Sequence, residues 1–309
     1  MKTIKADWIA ADWGTTHMRA WAMSSSGDIL ASGRSDKGMN QLSSNDFEPA
    51  LLGLISDWLD THQKTTVVAC GMVGAKQGWV EAHYQQVPCL PLEMMSLAKA
   101  QSFDERIDVF VLPGLMQQHP TDIMRGEECQ IAGLLSGRSD FTGSLCLPGT
   151  HSKWAEIVEG KVLSFKTCMT GELFALLSQQ SILRHSINGD MSSWNISTLI
   201  DAALSVLNAP ENLTAQLFAI RSESIVNDLH SATAKSELSG LLIGAELAAT
   251  RQYWEFCSEM ILIGSQSLVD IYHEVLSAAG INVNQKDATD MTLSGLYLAY
   301  QFLHKDLPS

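Results

Sequence analysis

The chain has 309 residues, 46% of them hydrophobic and 17% charged, which excludes a disordered segment and leaves room for two domains with separate cores. A formal net charge of -14 excludes a broad nucleic-acid surface, because holding a phosphate backbone takes clustered Lys and Arg. Six scattered cysteines form no Cys-x-x-Cys pair and lie at no zinc spacing from a histidine, and no apolar run is long enough for a leader or a span. A soluble cytoplasmic protein with no membrane partner is expected.

In chain order, residues 8–11 and 20–23 predict two strands flanking a Gly-Thr turn, with a hairpin bend at 24–27 and a third meander strand at 29–33. Residues 46–62 show helical apolar spacing, with Asn45 or Asp46 as N-cap candidates. The β-branched run 66–70 predicts a buried strand ending in Gly71-Met72-Val73-Gly74, and 107–112 predicts another ending in Pro113-Gly114. A helix over 124–135 carries two acids near its start, and the polar stretch 136–143 is the best linker. The strand–turn–strand pattern then restarts at Ser144. A helix over 171–178 leads into a helix-rich stretch to about Asn227, with loops around 187–193 and 207–212. A helix at 236–256, a strand at 260–263, a helix at 268–279, a last strand at 281–283 and a closing helix at 292–304 complete the reading. Each half opens on a meander and then alternates, so two α/β domains are expected, over 1–140 and 141–309.

Two segments about 135 residues apart look like copies. Asp12-Trp13-Gly14-Thr15-Thr16 runs through Arg19 and Trp21 to Gly27, and Leu147-Pro148-Gly149-Thr150-His151-Ser152-Lys153-Trp154 runs to Gly160. A Gly/Thr-rich bend exposes backbone N–H groups and hydroxyls, which can hold phosphate without a basic patch. Facing hairpins of this kind would clamp a nucleoside triphosphate between two domains. Asp12 ends its strand just before the bend, where a carboxylate can hold Mg²⁺ through water; the alternative is a turn-capping role.

These hairpins, the strand–Gly264-Ser265–helix segment and the duplicated meander resemble the actin-like ATPase superfamily of sugar kinases. Within it the chain is similar to the 2-dehydro-3-deoxygalactonokinase family over essentially its whole length. The most specific matches are Asp12 to Thr16, Cys70 to Gly74, Gln77-Gly78-Trp79-Val80-Glu81, Met124-Arg125-Gly126-Glu127-Glu128, Pro148 to Trp154 and Met169-Thr170-Gly171-Glu172-Leu173-Phe174. His17-Met18 departs from the small polar and aliphatic pair expected there.

The resemblance implies two ribonuclease-H-like domains with an interdomain active-site cleft, and ATP- and Mg²⁺-dependent phosphorylation of 2-dehydro-3-deoxy-D-galactonate at its 6-hydroxyl. It implies phosphate contacts from Gly14, Thr15 and Thr16 in the first loop and from Gly149, Thr150, Ser152 and Lys153 in the second. Lys153 could equally be a solvated hairpin lysine, and His151 stays outside the catalytic set. Glu127 is the expected base, with Glu128 one register away as the alternative, Glu172 an outside candidate, and dipole complementation the plain role for both acids. Gly264 and Ser265 are expected at adenosine. The sugar acid is expected on Gly71, Met72, Gly74, Lys76, Gln77, Trp79, Glu81 and Arg125, the cations answering its carboxylate. Trp79 could equally be core packing. A kinase for a related sugar acid or hexose derivative is the nearest rival, and a non-catalytic actin-like ATPase switch and a metal nuclease are rivals from other classes. The sequence leaves the oligomeric state open and is compatible with a homodimer.

Overall fold

A computed structural model of the chain describes residues 4–93, 96–187 and 193–304. They fall into two compact units. The first comprises Met1–Phe141, Val158–Ser164 and Ala288–Ser309; the second comprises Thr142–Ile157 and Phe165–Asp287.

The first unit is built on β1 (Trp8–Trp13), β2 (Met18–Met23), β3 (Ile29–Ser35), β4 (Thr65–Gly71), β6 (Ala98–Ala100) and β7 (Ile107–Val111), in the order β3-β2-β1-β4-β7-β6. β1, β2 and β3 form an antiparallel meander, and β4 and β7 add in parallel to β1. Alternate residues of β1 feed opposite cores, as the two-residue period of a strand requires. Ile9, Ala11 and Trp13 face α1 (Phe47–Ile55), whereas Trp8 and Ala10 pack toward α2 (Glu127–Ser136) and α9 (Ala288–His304). α2 and α9 cross tightly: a Cβ on Gly133 would sit 1.9 Å from Met291 O, and one on Gly295 2.1 Å from Cys129 O. β5 (Tyr84–Gln86), β8 (Gly114–Gln118) and β9 (Thr121–Met124) form a separate three-stranded sheet.

The second unit repeats the plan with β10 (Gly143–Leu147), β11 (Ser152–Val158), β12 (Lys161–Cys168), β13 (Met260–Gly264) and β14 (Asn284–Asp287), in the order β12-β11-β10-β13-β14. This is the ribonuclease-H-like order of the first sheet's opening five strands. Helices α3 (Thr170–Gln179), α4 (Ile196–Asn208), α5 (Leu213–Val226), α6 (Ser231–Ala249), α7 (Arg251–Trp254) and α8 (Gln266–Ala278) complete it. Gly240 and Gly244 let α6 lie against the α4 backbone, where a Cβ would meet Leu199 O and Ala203 O at 2.2 Å.

Several elements depart from the sequence reading. The helix expected over 46–62 ends at Ile55 and continues only as a 3-10 turn at Ser56–Trp58; Asp46 is its N-cap but accepts from Ser43 instead of capping. The helix expected from Met124 starts at Glu127, because Met124 closes β9 and Gly126 turns the chain at φ 109°. The long helix begins five residues early at Ser231 and breaks at Thr250. The last strand is Asn284–Asp287, past the apolar 281–283 stretch. The loop expected around 187–193 falls partly outside the described residues. The expected 141–309 domain is not one contiguous unit, since 158–164 and α9 cluster with the first; α9 does so because Leu293, Leu296 and Ala299 pack in the core of β1 and β4. No helix among the described residues is long and apolar enough to cross a membrane.

Candidate active site

In the first unit, three backbone turns meet where β1 and β4 end and α2 begins. Asp12 pairs with Cys70, and Trp13 with Gly71, in the parallel β1–β4 register. Gly71 has φ 88°, and a Cβ there would strike Trp13 O at 2.7 Å. A Cβ on Gly126 would lie 3.5 Å from Gly71 Cα, so the loop before α2 sits directly on the end of β4. Two glycines in the left-handed region thus bring Asp12 and the acids of α2 to one junction.

The two acids differ sharply. Glu127, at the first position of α2, is partly exposed, and its Oε2 accepts from Arg125 N at 3.1 Å. Glu128 is fully buried, and Gly126 N donates to its Oε1 at 2.9 Å and its Oε2 at 2.7 Å. Burial, followed by the neighbouring Glu127 charge, pushes the Glu128 carboxyl up to about 8, against the pull of the Gly126 N–H. Glu128 braces the turn from within, and Glu127 is the more accessible of the pair.

Asp12 has a partner the sequence reading missed. Arg19, its cross-strand neighbour, donates to Asp12 Oδ2 at 2.6 Å and to Thr289 Oγ1 at 3.0 Å. Cys70 Sγ lies 3.9 Å from the other oxygen, Oδ1. One carboxylate oxygen free of any cation suits Mg²⁺, which keeps most of its waters and takes few protein ligands. Among the described residues no three His, Cys, Asp or Glu side chains form a metal cluster.

The first Gly-Thr loop closes through Gly14 N donating to His17 O at 2.9 Å, with Thr15 and Thr16 exposed at its tip. Backbone bonds from Gly38, Met39 and Asn40 brace it from behind.

Of the expected sugar-acid residues, Met72 and Gly74 form a 3-10 turn after Gly71, and Lys76, Gln77 and Glu81 are exposed. Trp79 is largely core: it packs on Trp13 and Phe47 and donates Nε1–H to Gln101 O at 3.0 Å. Arg125 is mostly engaged, its guanidinium 4.3 Å over the Tyr84 ring with Nη2 donating to Ala82 O at 2.7 Å. Its Nη1 is buried with no hydrogen-bond partner, against Gly74, where a Cβ would come within 2.8 Å. A side chain at position 74 would make Arg125 shift, and the present packing leaves one guanidinium nitrogen unspent.

In the second unit, Gly149 and Thr150 reach the surface at the second Gly-Thr turn, but their expected companions do not. Ser152 is fully buried with its Oγ 3.1 Å from Tyr272 OH, and Lys153 is 4% exposed with Nζ donating to His151 O at 3.1 Å. β11 begins at Ser152 and is covered on both faces here, so these adjacent side chains are both buried although they point to opposite sides. His151 Nε2 and Glu172 Oε2 lie 2.5 Å apart at the surface.

A cleft of about 140 Å³ opens beside this turn, smaller than the usual small-ligand site. Its walls include Gly149, Thr170, Gly171, Phe174, Leu268 and Tyr272. Gly264 and Ser265 do not line it. Gly264 is buried against Val269 and Pro148, and Ser265 is the exposed N-cap of α8; the same helix reaches the cleft three to seven residues later, through Leu268 and Tyr272. Glu246, 3% exposed, lies behind the cleft and was not anticipated.

Comparison with known proteins identifies the family. The family described as 2-keto-3-deoxy-galactonokinase matches residues 12–299. A 2-dehydro-3-deoxygalactonokinase from Escherichia coli is 35% identical over 283 residues, covering 90% of this chain and 92% of that protein. A Rhizobium meliloti protein assigned the same activity is 34% identical over 294 residues, covering 94% and 95%. A crystal structure of a Sinorhizobium meliloti protein assigned to this activity superposes with a TM-score of 0.88 at 31% identity, covering 98% of this chain and 97% of that one. A xylulose kinase from Lactobacillus acidophilus shares the fold alone, at a TM-score of 0.50 and 9% identity. The chain belongs to the 2-keto-3-deoxy-galactonokinase family, a family of carbohydrate kinases with the two-domain actin-like fold.

Proposed function

We propose that this chain transfers the γ-phosphoryl group of ATP to the 6-hydroxyl of 2-dehydro-3-deoxy-D-galactonate, in the cytoplasm, with Mg²⁺ as the ion. The observation that carries the mechanism is the junction of Asp12, Gly71 and Glu127 in a chain of this family. Glu127 accepts the 6-hydroxyl proton while that oxygen bonds to the γ-phosphorus. The bond from phosphorus to the β,γ-bridging oxygen breaks, and ADP carries away the electron pair. Mg²⁺ supplies charge neutralisation on the transferring group, and Asp12 would hold it. Gly14, Thr15 and Thr16 of the first loop and Gly149 and Thr150 of the second offer N–H groups and hydroxyls to the phosphates.

The first unit, with the Gly71–Glu81 segment and the unspent donor of Arg125, takes the sugar acid. The second unit takes the nucleotide, with adenosine in the apolar cleft. No disulfide joins the six cysteines, which fits a reducing compartment. ADP release measured with and without the sugar acid tests the reading. Strict dependence on the acid supports a kinase, and equal release without it supports an ATPase switch.

A further inference from the structure

Glu246 of α6 is a buried carboxylate that the proposed chemistry does not use. It collects donors from three separate elements. Trp154 of β11 donates Nε1–H to its Oε1 at 2.7 Å, Tyr272 of α8 donates its hydroxyl to Oε2 at 2.9 Å, and Thr170 at the start of α3 donates to the same oxygen. Since the Tyr272 proton goes to Glu246, the Ser152 hydroxyl, 3.1 Å away, donates to Tyr272. All of these partners are neutral. A carboxylate buried among neutral dipoles costs folding free energy that apolar packing would not, so stability alone is a poor reason for it.

Its partners surround the second Gly-Thr turn. Ser152 and Trp154 open the strand that leaves the turn, and Thr170 begins the helix the turn rests on. That contact is close: a Cβ on Gly171 would lie 2.4 Å from Gly149 O, and Glu172 N donates to Thr150 O at 3.0 Å. Thr170 and Tyr272 also line the cleft, whereas Glu246 itself does not reach it. One carboxylate therefore ties together the strand after the turn, the helix under it and the helix along the cleft.

We propose that Glu246 is a positioning residue for the nucleotide, holding the Gly149-Thr150 turn and the cleft hydroxyls in their ligand-binding arrangement. The assignment rests on the kinase reading. Its test is calorimetric titration of the whole chain with the non-hydrolysable ATP analogue AMP-PNP, and separately with 2-dehydro-3-deoxygalactonate, alongside thermal unfolding. In Glu246→Gln an amide replaces one acceptor with a donor, and the hydroxyls that pointed at Oε2 must turn. The analogue should bind roughly ten-fold more weakly, while the sugar acid binds as in the wild type. A gentler pair works at Thr170: Thr170→Val should weaken the analogue, and Thr170→Ser, which keeps the hydroxyl, should restore it. Glu246→Gln and Thr170→Val proteins that unfold earlier yet bind AMP-PNP like the wild type would overturn the assignment and leave Glu246 a structural residue. Wild-type chain that binds no AMP-PNP would overturn the kinase reading together with it.

Discussion

Glu128 offers the sharpest test of how the junction is built. Its carboxyl titrates at about 8 in the folded chain against 4.5 for an ordinary glutamate. Between those values the folded state keeps a proton that the unfolded chain releases, so stability is full below about pH 4.5 and is lost as pH rises through 8. At ~1.4 kcal/mol for each tenfold change in proton affinity, the whole loss is on the order of 4–5 kcal/mol, an upper bound if the junction relaxes. Glu128→Gln keeps the shape, still accepts from Gly126 N through one oxygen and never ionises. Urea denaturation of both proteins from pH 5.5 to 9 isolates the effect, because every other group is common to the two. The wild type should lose about 2–4 kcal/mol relative to the variant across that range, and the variant should be the more stable at pH 9. Curves that run parallel across the range would refute the buried, protonated Glu128.

Glu127→Gln should lower kcat by about 10²–10⁴-fold with little change in either KM, checked by steady-state kinetics. Full turnover in that variant would remove Glu127 as the base. Gly71→Ala forces a Cβ into Trp13 O at a positive φ and should cost about 1–3 kcal/mol in chemical denaturation. Arg125→Lys, which loses the fork over Tyr84, should raise KM for the sugar acid about tenfold and leave KM for ATP alone. Asp12→Asn should raise the Mg²⁺ concentration needed for half-maximal rate, read from a magnesium titration at saturating substrates.

The meanders and their Gly-Thr bends were legible because each is written in one continuous segment, with a β-branched or apolar run on either side of small residues. The sheet of β5, β8 and β9 was not: Tyr84-Gln85-Gln86 is three residues of polar character, and only pairing with Gly114–Gln118 makes it a strand. The burial of Ser152 and Lys153 depends on what covers each face of β11, which no local pattern in the strand itself reports. Glu246 was invisible for another reason, since its partners lie 92, 76 and 26 residues away. Glu127 and Glu128 were legible as a pair but not as individuals. As successive residues of α2 they point in different directions around the helix, so Glu128 is buried and Glu127 partly exposed.

Incubating the chain with ATP, Mg²⁺ and a panel of sugar acids, and reading each product's phosphate position by phosphorus–proton NMR, tests the proposed transfer. A 6-phosphate is expected, formed from 2-dehydro-3-deoxy-D-galactonate in preference to the other acids. A phosphate on another oxygen, a different preferred acid, or no phosphorylated sugar at all would contradict it.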